Sequence, residues 1–324
     1  MEVDFSRGSY FMNKRERFLA AVANEPVDRA PRTCWTHFMT ETLGGEEHAR
    51  RHLVYQREYD WDICKMVNDF QYPFPEGVES IYGPEDIERF QEEGMGASLF
   101  AGEIAAVKSL RNELGPETPI VFTTFDPLRQ IVRRAGISTV PTLIANKDVT
   151  LRALRAINAT LMRFMEEMKK AGADGVFLAI NSAHAPGTPM AVDDDVFETF
   201  MKPFEIELLE AAGGMARFLH VHGNAVRLDR TEDYPFEVVS VSDRIAGNPT
   251  LADLREATGR CIMGGVDETR IGRMTPQELR DQIDESFRTA GQRNFILSPG
   301  CTIPVWTPAH LLRILAGPPT PDEC

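Results

Sequence analysis

The chain has 324 residues, 43% of them hydrophobic, and a formal net charge of −14. That charge disfavours nucleic acid and anionic membranes as partners and suits a small-molecule substrate or a protein partner. No apolar run of about 18 residues suits a membrane span; the first residues lack a signal peptide's apolar core, and the five scattered cysteines make no disulfide framework, so a reducing cytoplasm is expected.

In chain order, residues 1–11 read as a loosely ordered extension. Asn13 to Asn24 reads as a helix with Phe18, Leu19, Ala21 and Val22 on its apolar stripe. Arg32 to His37 reads as a first strand. Thr42 to Asp60 carries a charged helix, and its His48 and His52 are expected on a solvated face beside Glu46, Glu47, Arg50 and Arg51. Trp61 to Val67 is the second strand, followed by Asn68, Asp69 and a proline-rich loop to Gly77. A helix begins near Gly96. Pro119 to Phe125 is the third strand, broken by Asp126 and Pro127. Helical pattern then runs to Ala171, with a break around Asn146 and Asp148 as a candidate cap.

Five more strands follow: Gly172 to Ile180, a run from Ala216, Glu237 to Asp243, Arg260 to Val266 and Asn294 to Ser298. Helices are expected over 193–212, 251–258, 275–290 and from 308. Thr275 caps the third of these, with Pro276 at its first position. Eight strand–helix alternations with largely apolar strands predict a single (β/α)8 TIM barrel over residues 12–316, with 317–324 as a frayed tail. No Gly-x-Gly-x-x-Gly follows an early strand, which argues against a dinucleotide-binding sheet.

The chemistry concentrates at strand ends. His220 and His222 lie two residues apart at the end of a strand, so both point to one side. Cys301 follows a Pro-Gly turn after the eighth strand. Two nitrogens and a sulfur suit zinc, whereas magnesium or calcium asks for oxygens. The three residues are read as one zinc site with an open fourth position, for which Asp267, Glu268 and His37 are unranked candidates at rest. The competing reading makes the histidines ordinary hydrogen-bonding residues and Cys301 a small buried hydrophobe. His37, Asn181, His184 and Asp267 are the candidate catalytic residues, because each falls where a strand ends. Asp126 and Asp267 also suit helix caps. Trp35 and Trp306 are candidate pocket walls, while Cys34, Cys64 and Cys261 lie within strands as inert thiols.

Several stretches together resemble the uroporphyrinogen decarboxylase superfamily, and within it the cobalamin-linked methyltransferases. They are Met12 to Ala21, Pro26 to Pro31, Gly172 to Gly175, His220 to Asn224, and Ile296 to Pro304 with Thr307 and Pro308. The methyltransferase pattern is His-x-Cys followed far downstream by Pro-Gly-Cys, and these residues hold zinc. His220 and Cys301 match it; His222 stands where the pattern has cysteine. The resemblance implies zinc, a corrinoid (cobalamin) co-substrate on a separate protein, and a homodimer. The decarboxylases' early arginine cluster is missing after Arg32, so uroporphyrinogen is not the expected substrate. The expected activity is zinc-dependent methyl transfer between a corrinoid and a small molecule. The alternatives are a metal-assisted decarboxylase, lyase or hydrolase on the same site, and a binding protein without turnover.

Overall fold

The structure is a computed structural model that describes residues 11–40, 43–67, 71–181, 183–188 and 191–318. The expected extension at 1–10 and the end of the expected tail, 319–324, lie outside them. So do the strand-end candidates Asn68 and Asp69.

Seven parallel strands form one curled sheet in sequence order: β1 (Cys64–Met66), β2 (Ile120–Phe125), β3 (Gly175–Ile180), β4 (Ala216–Val221), β5 (Val238–Val241), β6 (Cys261–Val266) and β7 (Phe295–Pro299). Twelve α-helices accompany them among the described residues: α1 (Lys14–Val22), α2 (Gly45–Tyr59), α3 (Pro84–Ile87), α4 (Ser98–Leu114), α5 (Pro127–Ala135), α6 (Val140–Ala145), α7 (Lys147–Ala171), α8 (Asp194–Phe200), α9 (Lys202–Ala211), α10 (Leu251–Thr258), α11 (Pro276–Ala290) and α12 (Ala309–Ala316). Consecutive strands pair in parallel through crossovers that contain α-helices, except that β4 leads to β5 through a short 3-10 turn, Leu228–Thr231.

Strand alternation divides the apolar residues into two cores. One set, including Leu178, Leu219, Val239 and Leu297, packs against the helices. The other, including Ile63, Val121, Phe177, Phe218, Met263 and Ile296, fills the concave face of the sheet. Phe18 of α1 joins this inner core and stacks on Phe218, with centroids 6.2 Å apart.

The expected first strand is reduced to one bridge, Arg32 to Leu297. The cause is a shortage of free donors. Pro31 has no N–H to give, and the Arg32 N–H is spent on the Asp62 carboxylate at 2.8 Å. The segment nevertheless bonds toward both edges of the sheet. Thr33 N donates to Leu297 O at 3.1 Å and Leu297 N to Pro31 O at 2.9 Å, while Asp62 N donates to Arg32 O at 3.0 Å.

Helix ends follow local chemistry. Asn13 closes a capping box with Glu16, and Thr275 closes one with Glu278. The helix expected over 193–212 breaks at Met201, because Pro203 cannot continue the hydrogen-bond ladder into the preceding turn. Asn146, rather than Asp148, occupies the N-cap position of α7. His48 and His52, expected in solvent, are buried. His48 Nδ1 meets Thr40 Oγ1, and His52 Nε2 accepts the Val67 N–H at 3.1 Å, which ties α2 to the end of β1. At the other end of the sheet, Glu237 accepts the Arg217 backbone N–H at 2.8 Å and pairs with its guanidinium.

Candidate metal centre

β4 carries His220 on the inner face, and the chain just beyond it carries His222 two residues on. β7 ends in Pro299 and Gly300, and the chain turns there to present Cys301. A side chain at Gly300 would come within 2.7 Å of the Ser242 backbone, so only glycine allows this close passage. The result is a group of three: one potential ligand atom from each of His220, His222 and Cys301 lies within 4.8 Å of the others. Cys301 Sγ and His222 Nδ1 are 3.5 Å apart, and the two imidazole centroids 5.7 Å. Among the described residues the group stops at three; Asp267, Glu268 and His37 do not fall within it.

The surroundings orient His220. Its Nδ1 faces Ser240 Oγ at 3.3 Å, its ring stacks on Phe177 at 5.0 Å, and its buried Nε2 has no partner. Burial, then the His222 and Lys65 charges, hold its pKa well below the usual histidine value. His222 stands more open to solvent at the rim. Partial desolvation and the charges of Arg129 and His184 lower its pKa as well. Both imidazoles are therefore neutral near pH 7, the form that binds a metal. Burial pushes the Cys301 thiol up to about 11; Glu268 adds to this and Lys65 opposes it.

Other expected site residues separate by role. His184 is buried against Gly223, its Nδ1 3.2 Å from Asn224 O and its Nε2 without a partner. Asn181, immediately after β3, lines a cavity of about 250 Å³. Asp267 is committed to its own turn: one carboxylate oxygen accepts from Thr269 N, Thr269 Oγ1 and Arg270 N at 2.9, 2.6 and 3.2 Å. These bonds give Asp267 the capping role that its position also suited. His37 is half-buried in the segment after Trp35 and lies outside the three-residue group. Asp126 caps α5 through Arg129 N at 2.9 Å, and burial raises its pKa to about 6. Trp35 belongs to the inner core, edge-on to Phe177, whereas Trp306 stands exposed beside Arg273. Cys34 and Cys64 are buried, with thiol pKa values pushed up to about 12 by burial, and Cys261 is raised in the same way.

Two residues of the region were not singled out from the sequence. Lys65 of β1 is buried, with Nζ bonded to Thr123 Oγ1 and 3.9 Å from the Phe177 ring centroid. Burial lowers its pKa to about 7. The available signal was a lone lysine at an inward position between Ile63 and Val67 in an apolar strand. Arg129, in the first turn of α5, lines the same cavity as Asn181. No sequence signal separates it from the neighbouring arginines of that helix.

If this group holds zinc, binding has a measurable proton balance. At pH 8.5 both histidines and most of Lys65 are already neutral, while Cys301, at about 11, still holds its proton. Binding as thiolate should release about one proton per ion. Calorimetry in buffers of different ionisation enthalpy reads that number; a value near zero would show that the sulfur is not a ligand.

Two curated relatives are the methylcobamide:CoM methyltransferases MtbA of Methanosarcina mazei and Methanosarcina acetivorans. Each is 22% identical to this chain over 92% of its length and 95% of theirs. A solved methyltransferase from Methanosarcina mazei superposes with a TM-score of 0.72 at 19% identity, covering 94% of this chain and 97% of that one. A putative vitamin-B12-independent methionine synthase from Listeria monocytogenes shares the fold more distantly, with a TM-score of 0.54 at 14% identity over 84% and 86% of the two chains. The family model described as uroporphyrinogen decarboxylase (URO-D) matches residues 71–316, well over half of the sequence, and the chain belongs to that family.

Proposed function

We propose that this protein is a zinc-dependent methyltransferase that moves a methyl group between a corrinoid carried on a separate protein and a small-molecule donor or acceptor. The observation that carries the reading is the convergence of His220, His222 and Cys301 within 4.8 Å, in a chain aligned over 92% of its length with methylcobamide:CoM methyltransferases. On this reading the Pro31–Thr33 segment takes the eighth strand position, and residues 12–316 work as one closed (β/α)8 barrel with its chemistry at the strands' C-terminal ends.

The residues present fit zinc. Two neutral imidazoles and a thiol are a suitable donor set, and the orphaned Nε2 of His220 is a buried polar atom that a metal ion would satisfy. A bound zinc ion would supply Lewis acidity that lowers a substrate thiol's pKa. Ser240 and Phe177 hold the His220 ring so that Nε2 is the nitrogen presented. Lys65 favours the thiolate form of Cys301, whereas Glu268 disfavours it. Histidine at position 222 makes the site less negative by one charge than a two-thiolate site. That change also suits the second reading, a metal-assisted lyase, decarboxylase or hydrolase with an open position for a substrate oxygen. Uroporphyrinogen fits neither reading, since the cavity that Asn181 lines offers its many carboxylates one guanidinium, that of Arg129.

Mixing the zinc-loaded protein with methylcobalamin and a panel of small thiols tests the proposal. Loss of the methylcobalamin spectrum, dependent on both protein and zinc, is expected. An unchanged spectrum with every acceptor would favour the second reading.

A further inference from the structure

The cavity that contains Asn181 is bounded on one side by α5 and on the other by the α6 region and the chain around Val192. Its walls do not include His220, His222 or Cys301, but two links tie it to the candidate centre. Asn181 directly follows Ile180, whose carbonyl accepts the His222 N–H at 2.9 Å, and the Arg129 charge is felt at His222. Its walls are mostly aliphatic, with Val132, Ile137, Val140 and Met201 among them. A volume of about 250 Å³ holds roughly eight water-sized groups.

The polar members of this lining are Asp126, Arg129 and Asn181, and Arg129 is its cation. Arg17, Arg111 and Arg230 are each paired with a carboxylate, Asp28, Asp174 and Asp194 respectively. The Arg129 guanidinium has no ion pair or hydrogen bond among the described residues, and its Nε is buried without a partner. Asp126 is close by, but its side chain accepts the Arg129 backbone N–H and makes no ion pair with the guanidinium. A largely desolvated guanidinium that feels the Asp126 charge but spends none of its own donors on it, set among mostly aliphatic walls, keeps its fork free to receive an anion.

We propose that this cavity binds the substrate and selects a small amphiphilic acid, with its anionic head on Arg129 and its apolar body against Val132, Ile137 and Val140. The guanidinium fork matches a carboxylate through two parallel hydrogen bonds. The aliphatic walls reward an apolar body in proportion to the area they cover. This assigns the substrate class of the proposed centre and so rests on that reading; binding itself is measured without metal.

The test is calorimetric titration of the full chain with phenylacetate, phenylacetamide and acetate, in chelator and again with zinc. Saturable binding of phenylacetate is expected in both conditions. The neutral amide should bind at least ~10-fold more weakly, because it cannot form the charge-assisted pair. Acetate should fall by a similar factor for want of an apolar body. Arg129→Gln should reduce phenylacetate to the level of the amide. Ile137→Ser, at a half-exposed position where unfolding is not expected, should weaken phenylacetate and leave acetate unchanged. Absence of saturable phenylacetate binding, equal binding of acid and amide, or no effect of Arg129→Gln would overturn the proposal. Phenylacetate binding to a protein that takes up no zinc would leave it standing and remove the methyltransferase reading instead.

Discussion

Cys301→Ser should lower zinc affinity by at least ~100-fold, since even residues that merely orient metal ligands cost 10–100-fold when changed. Corrinoid-dependent turnover should fall with it. The fold should survive, because Cys301 stands half-exposed at the rim and outside both apolar cores. A thermal midpoint within the range of a surface substitution, about 0.5 kcal/mol, is expected for the metal-free proteins. Metal analysis of protein purified without chelators, run beside a melting curve, separates the two effects. A variant that keeps its zinc, or a wild type that is active without any, would remove the three-residue centre from the mechanism.

The largest effect on stability is expected far from that centre. Arg17 of α1 is fully buried and donates to Asp28 at 2.7 Å, to Asp62 at 2.7 Å and to the Met12 carbonyl at 2.6 Å. Asp62 in turn binds Arg29 and the Arg32 backbone N–H. Arg17→Met removes the cation from this network and leaves buried carboxylate oxygens without their partner, which costs about 3–5 kcal/mol. Chemical denaturation reads the loss directly. The pH dependence should change with it. Burial alone would raise the Asp28 pKa, but the Arg17 hydrogen bond and charge outweigh burial and hold it below 3.8. A depressed carboxylate contributes stability that is present above 3.8 and lost as pH falls through the folded-state value. The variant should therefore lose less on acidification than the wild type does. A wild-type-like denaturation midpoint for Arg17→Met would show that this network is not structurally required.

The alternation of strands and helices was legible because buried parallel strands are apolar runs and helices repeat every 3.6 residues. The histidine pair was legible because a two-residue spacing on a strand preserves the face. Failures occurred where tertiary partners overrode local pattern. Arg32 to His37 has a strand's composition, but the Arg32 N–H is taken by Asp62, a partner thirty residues away. His48 and His52 have charged neighbours in sequence, yet at about 100° per residue those neighbours point elsewhere. The stripe formed by His48, His52 and Gln56 is the buried one. Lys65 and Arg129 were passed over for a related reason: beyond the lone lysine in an apolar strand, what distinguishes each is the burial and pairing of its charge, which only the assembled sheet and cavity define.

The Arg217–Glu237 clamp at the start of β4 has an effect on the opposite end of that strand. It holds the alignment in which Phe218 pairs with Val238 and His220 with Ser240. A strand displaced by one residue exchanges its faces, which would send both imidazoles toward the helices and bring Leu219 and Val221 inward. Parity along β4 is thus a condition for bringing the three candidate ligands together, and the clamp that supports it is made of two charged residues outside that group.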